Sequence, residues 1–253
     1  MFKRTFSTIT IALSVLFIIN GCATTSTENI KKAAAHNKIG SYYLSKDQLN
    51  EAFIEFQKSV KLDPKNKETL NYLGYISARY KKYDEAESYY MRAISVDPSY
   101  SDALNNLGVF YLDNQEWDKA IKYFQAALEN DVYNTPEKAY SGMGYAYYKK
   151  EDYINAVDSF NEALTRNPIF PLAMYNLGLV YVKLEKYDDA TREFKKAIGI
   201  IPNYIDAHWE LARTYLFLGK KDKALKHFKA VAEESDNNKK RRMALKYIER
   251  LKY

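Results

Sequence analysis

The stretch Ser101–Asn134, SDALNNLGVFYLDNQEWDKAIKYFQAALENDVYN, decides the fold, because close variants of it recur along the chain. With Ser101 as position 1, a glycine stands at position 8 (Gly108), an alanine at position 20 (Ala120) and large apolar residues at positions 7, 11 and 24. This spacing predicts two antiparallel helices, since residues three and four apart share one face of a helix. We expect the small residue at position 8 to pack against the small residue at position 20.

Six such units follow one another. Position 20 is alanine in every unit: Ala52, Ala86, Ala120, Ala156, Ala190 and Ala224. Position 8 is small in every unit: Gly40, Gly74, Gly108, Gly144, Gly178 and Ala212. The interval is 34 residues except between the third and fourth units, where Gly108 and Gly144 are 36 apart. Proline, which cannot continue a helix, ends four units at position 32, and Pro136 is placed to start the helix after the irregular junction.

This pattern resembles the tetratricopeptide repeat, a helix pair with a period of 34 residues. The resemblance implies an all-α fold, a right-handed superhelix (α-solenoid) of six tetratricopeptide repeats over residues 33–238. A basic capping helix is predicted over 239–253, with Met243, Leu245, Ile248 and Leu251 on its packing side.

Residues 1–21 are typical of a signal peptide, with Lys3 and Arg4 before an apolar run from Ile9 to Ile19. That run is too short to span a bilayer comfortably. It ends in Ile19-Asn20-Gly21-Cys22, which is similar to the lipobox of bacterial lipoproteins. The alternative is that Cys22, the only cysteine, is a buried thiol in a retained helix.

The lipobox resemblance implies that Cys22 becomes an acylated N-terminus, and two or more acyl chains hold a protein stably on a membrane. Ala23 follows Cys22 where an Asp would indicate retention in the inner membrane. We therefore expect a periplasm-facing lipoprotein of the outer membrane, if the bacterium has two membranes. Residues 22–32, rich in small and hydroxyl side chains, are predicted to be a flexible tether.

The first helix of each repeat is expected to point positions 2, 5, 9, 12 and 13 into a concave groove. Positions 5, 9 and 12 predict an apolar and aromatic groove with asparagines at one end, which could take an amphipathic helix or an extended hydrophobic segment of a partner. The alternative is that the superhelix winds tightly enough to bury these side chains against one another. The candidate partner-binding residues are Asn71, Tyr75, Asn105, Val109, Leu112, Tyr145, Tyr148, Tyr175, Leu179 and Val182.

The sequence does not favour an enzyme, and we predict no catalytic residues, metal site or cofactor. The repeats use nearly the whole mature chain, and His36, His208 and His227 are scattered. The net charge is +6, and Arg213–Tyr253 alone holds 13 Lys and Arg against 5 Asp and Glu. This basic end is either a solvated cap or a contact for an anionic surface. Nucleic acid is a poor candidate partner for an exported protein.

The whole mature chain resembles the type IV pilus biogenesis and stability lipoproteins, the pilotins. The resemblance is carried by Asn105–Phe110 with Leu112, and by Tyr133 with Thr135–Tyr140 at the irregular junction. It implies an adaptor that binds a secretin subunit and promotes its localisation and multimer assembly in the outer membrane. The alternative function is a general envelope scaffold that recruits a peptidoglycan hydrolase or protease.

Overall fold

The computed structural model describes residues 26–251, which form thirteen helices and no strand. The helices are α1 Thr27–Ser45, α2 Leu49–Leu62, α3 Lys67–Arg79, α4 Tyr83–Val96, α5 Ser101–Asp113, α6 Trp117–Leu128, α7 Pro136–Lys149, α8 Tyr153–Arg166, α9 Pro171–Lys183, α10 Tyr187–Ile200, α11 Ile205–Phe217, α12 Lys221–Glu234 and α13 Asn238–Leu251. The first twelve pair off as six successive helix hairpins, each packed on the next. The predicted all-α solenoid of six repeats with an additional C-terminal helix is confirmed.

In the first five hairpins an aromatic ring of the second helix packs against the glycine at position 8 of the first helix. A Cβ built on Gly108 would lie 2.7 Å from the ring of Phe124, which is position 24 of the same repeat. The ring at position 24 therefore lies directly against the glycine, and Ala120 at position 20 is fully buried in the same core cluster. These rings are fully buried in all six repeats: Phe56, Tyr90, Phe124, Phe160, Phe194 and Phe228.

The junction between the third and fourth repeats differs from the others in the way its helix starts. After α6 ends at Leu128, seven residues lead to Pro136, which opens α7 as predicted. The helix then runs so close to α6 that a Cβ at Gly142 would clash with the Phe124 ring. The two additional residues of the junction thus come shortly before a close contact between the Phe124 ring of the third repeat and Gly142 of the fourth.

The two ends of the stack differ from the sequence predictions. Helix α1 begins at Thr27 with Ser26 as its N-cap, so the tether predicted for 22–32 is wrong for residues 27–32. The signal peptide of residues 1–21 and the lipidation of Cys22 lie outside the described residues. None of the described helices has both the length and the apolar character needed to cross a membrane.

The last helix, α13, packs as a cap, but on a different face from the one predicted. Ala244 is fully buried, and Tyr247 stacks on Phe228 with ring centroids 4.6 Å apart. Ile248 and Leu251 join this contact as predicted, whereas Met243 and Leu245 are exposed. The packing face consists of Ala244 and the residues three, four and seven positions after it. This is the regular spacing of an amphipathic helix, which the predicted set did not follow.

Candidate functional site

A pocket of about 900 Å³ opens between the first helices of the third, fourth and fifth repeats. Its walls come from α5, α7 and α9, together with the turn before α6 and the residue before α9. The lining residues are Asn105, Asn106, Val109, Leu112, Asp113, Gln115, Trp117, Lys138, Ser141, Gly142, Tyr145, Lys149, Phe170, Leu172 and Asn176. We call this the central pocket.

Four of the ten candidate groove residues line the central pocket: Asn105, Val109, Leu112 and Tyr145. Val109 is 42% exposed, so it presents an apolar surface to solvent at this point. Tyr148 lies one helical turn from Tyr145, and the two ring centroids are 6.3 Å apart. These five side chains form one continuous group along α5 and α7.

The other candidates lie elsewhere along the stack. Tyr175, Leu179 and Val182, on α9, are half-buried and pack against the core shared with the sixth repeat. The Tyr175 ring lies 5.2 Å from the Tyr204 ring, and burial raises the pKa of the Tyr175 phenol. These three side chains are engaged in packing between repeats.

Asn71 and Tyr75 lie on α3, one repeat before the central pocket. The amide oxygen Oδ1 of Asn71 is buried and accepts a hydrogen bond of 3.0 Å from Nδ2 of Asn106. The Tyr75 hydroxyl accepts a hydrogen bond of 2.8 Å from the Arg79 guanidinium. The predicted row of asparagines is therefore interior, and part of it joins successive repeats.

Asn105 behaves differently from Asn71, although both occupy position 5. Asn105 is only 7% exposed, and its Oδ1 has no hydrogen-bond partner among the described residues. A buried acceptor without a donor is uncommon, because most buried polar atoms in native proteins are paired. Asn105 thus lines the central pocket with an unsatisfied acceptor just beneath the pocket surface.

Two lysines of α7 lie at the rim of the central pocket. Lys138 and Lys149 are eleven residues apart, which is about three helical turns and places them on the same face. Neither forms an ion pair with a described residue, whereas the neighbouring Lys150 pairs with Asp118. The ammonium of Lys149 lies 5.8 Å from the centre of the Trp117 ring and 6.0 Å from that of Tyr145.

The sequence contained a signal for these lysines, because they stand at positions 2 and 13 of the fourth repeat, both expected to face inward. The candidate residues came from positions 5, 9 and 12 and therefore did not include these lysines. Trp117 and Phe170 had no such signal, since they lie beside the turns between helices. Their place in the pocket depends on how the repeats stack.

The central pocket offers recognition chemistry. Asp113 is its one carboxylate, and burial raises the pKa of that group. No group of three or more His, Cys, Asp or Glu side chains within residues 26–251 could hold a metal ion. Apolar walls, amide groups and two cations are suited to binding a peptide segment.

Tetratricopeptide repeat family models match the chain in four places: residues 33–66, 79–134, 144–185 and 181–246. A comparison with curated proteins finds no match. The matches leave out residues 1–32, 67–78, 135–143 and 247–253, so the second and fourth repeats and the last helix are matched only in part.

Several solved structures share the fold over most of this chain. The crystal structure of PilW, described as a widely conserved type IV pilus biogenesis factor, is 21% identical, with a TM-score of 0.78, covering 84% of this chain and 98% of its own. PilF of Pseudomonas aeruginosa is 15% identical at the same TM-score, covering 87% and 99%. YrrB, described as a tetratricopeptide protein with an unusual peptide-binding site, is 19% identical with a TM-score of 0.59, covering 76% and 97%. At these identities the likeness shows the fold alone. The chain is built from tetratricopeptide repeats.

Proposed function

We propose that this protein is a lipid-anchored adaptor of the outer membrane that binds a type IV pilus secretin subunit and promotes its assembly there. The observation that carries the proposal is the likeness of nearly the whole chain to two type IV pilus biogenesis factors, PilW and PilF. A stack of repeats with an open pocket and no described metal cluster fits an adaptor better than an enzyme.

The short distance between Cys22 and the first helix supports the anchoring part of the proposal. Only four residues lie between Cys22 and Thr27, where α1 begins. Because an extended chain covers at most about 3.6 Å per residue, the first repeat would lie within about 20 Å of the acylated cysteine. The adaptor would therefore hold its partner close to the membrane surface.

The direct test is to delete the gene and measure secretin multimers in the outer membrane, with complementation by wild-type, Cys22→Ser and Tyr145→Glu proteins. We expect multimers to be lost on deletion and restored only by the wild type. With Cys22→Ser the secretin should not reach the outer membrane, because this variant lacks the acyl anchor. Tyr145→Glu should abolish capture of the secretin, because it puts a charge into the wall of the central pocket.

Tyr42→Glu is the matched control, since Tyr42 is 60% exposed on α1, outside the central pocket. It should complement fully, and both glutamate variants should keep the helical circular dichroism of the wild type. Normal secretin multimers in the deletion strain would refute the proposal. Capture of peptidoglycan hydrolases or proteases in that case would favour the envelope scaffold.

A further inference from the structure

We propose that the central pocket binds an extended acidic segment of the partner, with one large apolar side chain in the pocket and a carboxylate on each side of it. This inference rests on the proposed adaptor function and specifies what the pocket recognises. Three independent features of the pocket support it: an apolar wall, an unsatisfied acceptor just beneath the floor, and two cations at the rim that pair with no described carboxylate.

The apolar wall provides the place for the large side chain. Val109 on α5 and Leu172 on α9 both line the pocket, and both are more than 40% exposed. Phe170 and Tyr145 add aromatic surface beside them. A cavity of about 900 Å³ accommodates an aromatic or long aliphatic side chain with part of its main chain.

The acceptor just beneath the floor favours an extended ligand over a helical one. Asn105 lines the pocket, and its Oδ1 has no donor but is closed to solvent, so a rotation of the amide has to bring that oxygen to the ligand. An extended main chain presents free N–H groups to it. In a helix those groups are already bonded within the ligand, except in its first turn. Asn176, also buried in the lining, provides a second amide on the opposite side.

The two rim lysines set the spacing of the carboxylates. Eleven residues of helix α7 separate Lys138 from Lys149, which corresponds to about 16 Å along the helix axis. An extended chain covers that distance in about five residues. Against these two cations the rim has one carboxylate, Asp113, so its charge favours an acidic segment.

The test is fluorescence anisotropy with the full-length protein in detergent and three labelled peptides. The first, GDSFSGDG, has aspartates five residues apart with a phenylalanine between them. The second, GDSASGDG, lacks the aromatic side chain, and the third, GKSFSGKG, reverses the charge. We expect saturable binding of the first peptide, at least tenfold weaker binding of the second, and no measurable binding of the third.

Protein variants separate the two polar features. Lys138→Glu with Lys149→Glu should weaken binding of GDSFSGDG at least tenfold and improve binding of GKSFSGKG. The matched control, Lys61→Glu with Lys229→Glu, changes two exposed lysines on second helices by the same charge and should leave binding unchanged. Asn105→Leu, which keeps the size of the side chain but removes the acceptor, should weaken binding at least fivefold.

Equal binding of the three peptides, absence of binding by all of them, or an unchanged affinity in the rim double variant would overturn the inference. Urea denaturation of each variant verifies that it is folded. Secretin assembly in cells is scored separately. If assembly depends on the chain while the acidic peptide does not bind, the inference fails and the proposed function stands.

Discussion

Position 15 of every repeat has a left-handed backbone, and only the sixth repeat has a glycine there. The residues are Asp47, Lys81, Gln115, Glu151, Glu185 and Gly219, with φ between 56° and 68°. The left-handed conformation ends the first helix of each pair. It also lets the N–H of the next residue donate a hydrogen bond to a carbonyl in the last turn of that helix, as Lys220 does to Tyr215. A Cβ atom raises the free energy of this left-handed conformation, and glycine does not have that cost because it has no Cβ.

We predict that replacement by alanine changes the free energy of unfolding in opposite directions at two glycines of the C-terminal half. Gly219→Ala should lower the free energy of unfolding by about 1 kcal/mol, because its φ of +68° disfavours any Cβ. Gly199→Ala, inside α10 with no heavy atom within 4 Å of the new methyl, should raise it by about 0.5–1 kcal/mol. Urea denaturation followed by circular dichroism measures both, and changes of the same sign would contradict the backbone argument.

The two buried asparagines at position 5 give a second prediction. Asn71→Leu removes the acceptor for Asn106 and should cost about 1 kcal/mol of stability, because it breaks a hydrogen bond between successive repeats whose donor is half-buried. Asn105→Leu removes an acceptor that has no partner, so stability should stay within about 0.5 kcal/mol or rise. Urea denaturation again provides the measurement. A larger loss for Asn105→Leu would mean that Asn105 serves the fold and not a ligand.

At the scale of helices, the hairpin pattern was predictable because each pair depends on contacts within 34 residues. The helix start at Pro136 and the loop prolines followed from the geometry of proline itself. The early start of α1 was not predicted, because a capping hydroxyl at Ser26 and the ion pair Glu28–Lys32 stabilise a mostly exposed turn that has no apolar periodicity. The packing face of α13 depends on where Trp209 and Phe228 of the preceding repeat lie.

The central pocket was only partly predictable, for a related reason. Val109 and Tyr145 were identified because they repeat a position within one helix pair. Phe170 and Leu172 enter from α9 and its preceding loop, so their place depends on the stacking of three repeats. That stacking includes the close approach at Gly142, which no single repeat encodes.

Between α11 and α12, a histidine pair predicts a pH dependence of stability. Nδ1 of His208 and Nδ1 of His227 are 2.9 Å apart, and Nε2 of His208 lies 2.9 Å from the carbonyl oxygen of Pro202. Burial, reinforced by His208 and by Lys226 and Lys195, lowers the pKa of His227 to about 4. The folded protein therefore keeps His227 neutral in a range where the unfolded chain, with a pKa of about 6.5, takes up a proton.

Stability should consequently be complete above pH 6.5 and fall as the pH drops towards 4. The loss from this group should be about 1–2 kcal/mol, reduced from the full linkage value because the imidazole is only half-buried. The measurement is urea denaturation at pH 7 and pH 5 for the wild type and for His227→Phe. The variant should lose less stability than the wild type over this interval, and an equal loss would contradict the assignment.

For the whole molecule, the first helix, which follows the proposed anchor in sequence, and the basic helix α13 lie at opposite ends of the stack. The N-terminal end leads to Cys22, whereas α13 closes the sixth repeat. Opposite its packing face, α13 presents a row of four exposed cations, Lys239, Arg242, Lys246 and Arg250, while Lys240 pairs with Asp206. None of the four forms an ion pair with a described residue, so the row is free to meet an anionic surface.

We predict that this row binds anionic lipid. A fragment of residues 26–253, which contains all thirteen helices but no acylation site, should co-sediment with vesicles containing phosphatidylglycerol and not with phosphatidylcholine alone. Each basic residue near such a surface contributes about 1 kcal/mol, so four of them give measurable binding that falls as salt is added. Replacing all four by glutamine should abolish it, whereas the same replacement of Lys61, Lys122, Lys195 and Lys229, on second helices, should not. Equal sedimentation of both variants would mean that α13 is simply a solvated cap.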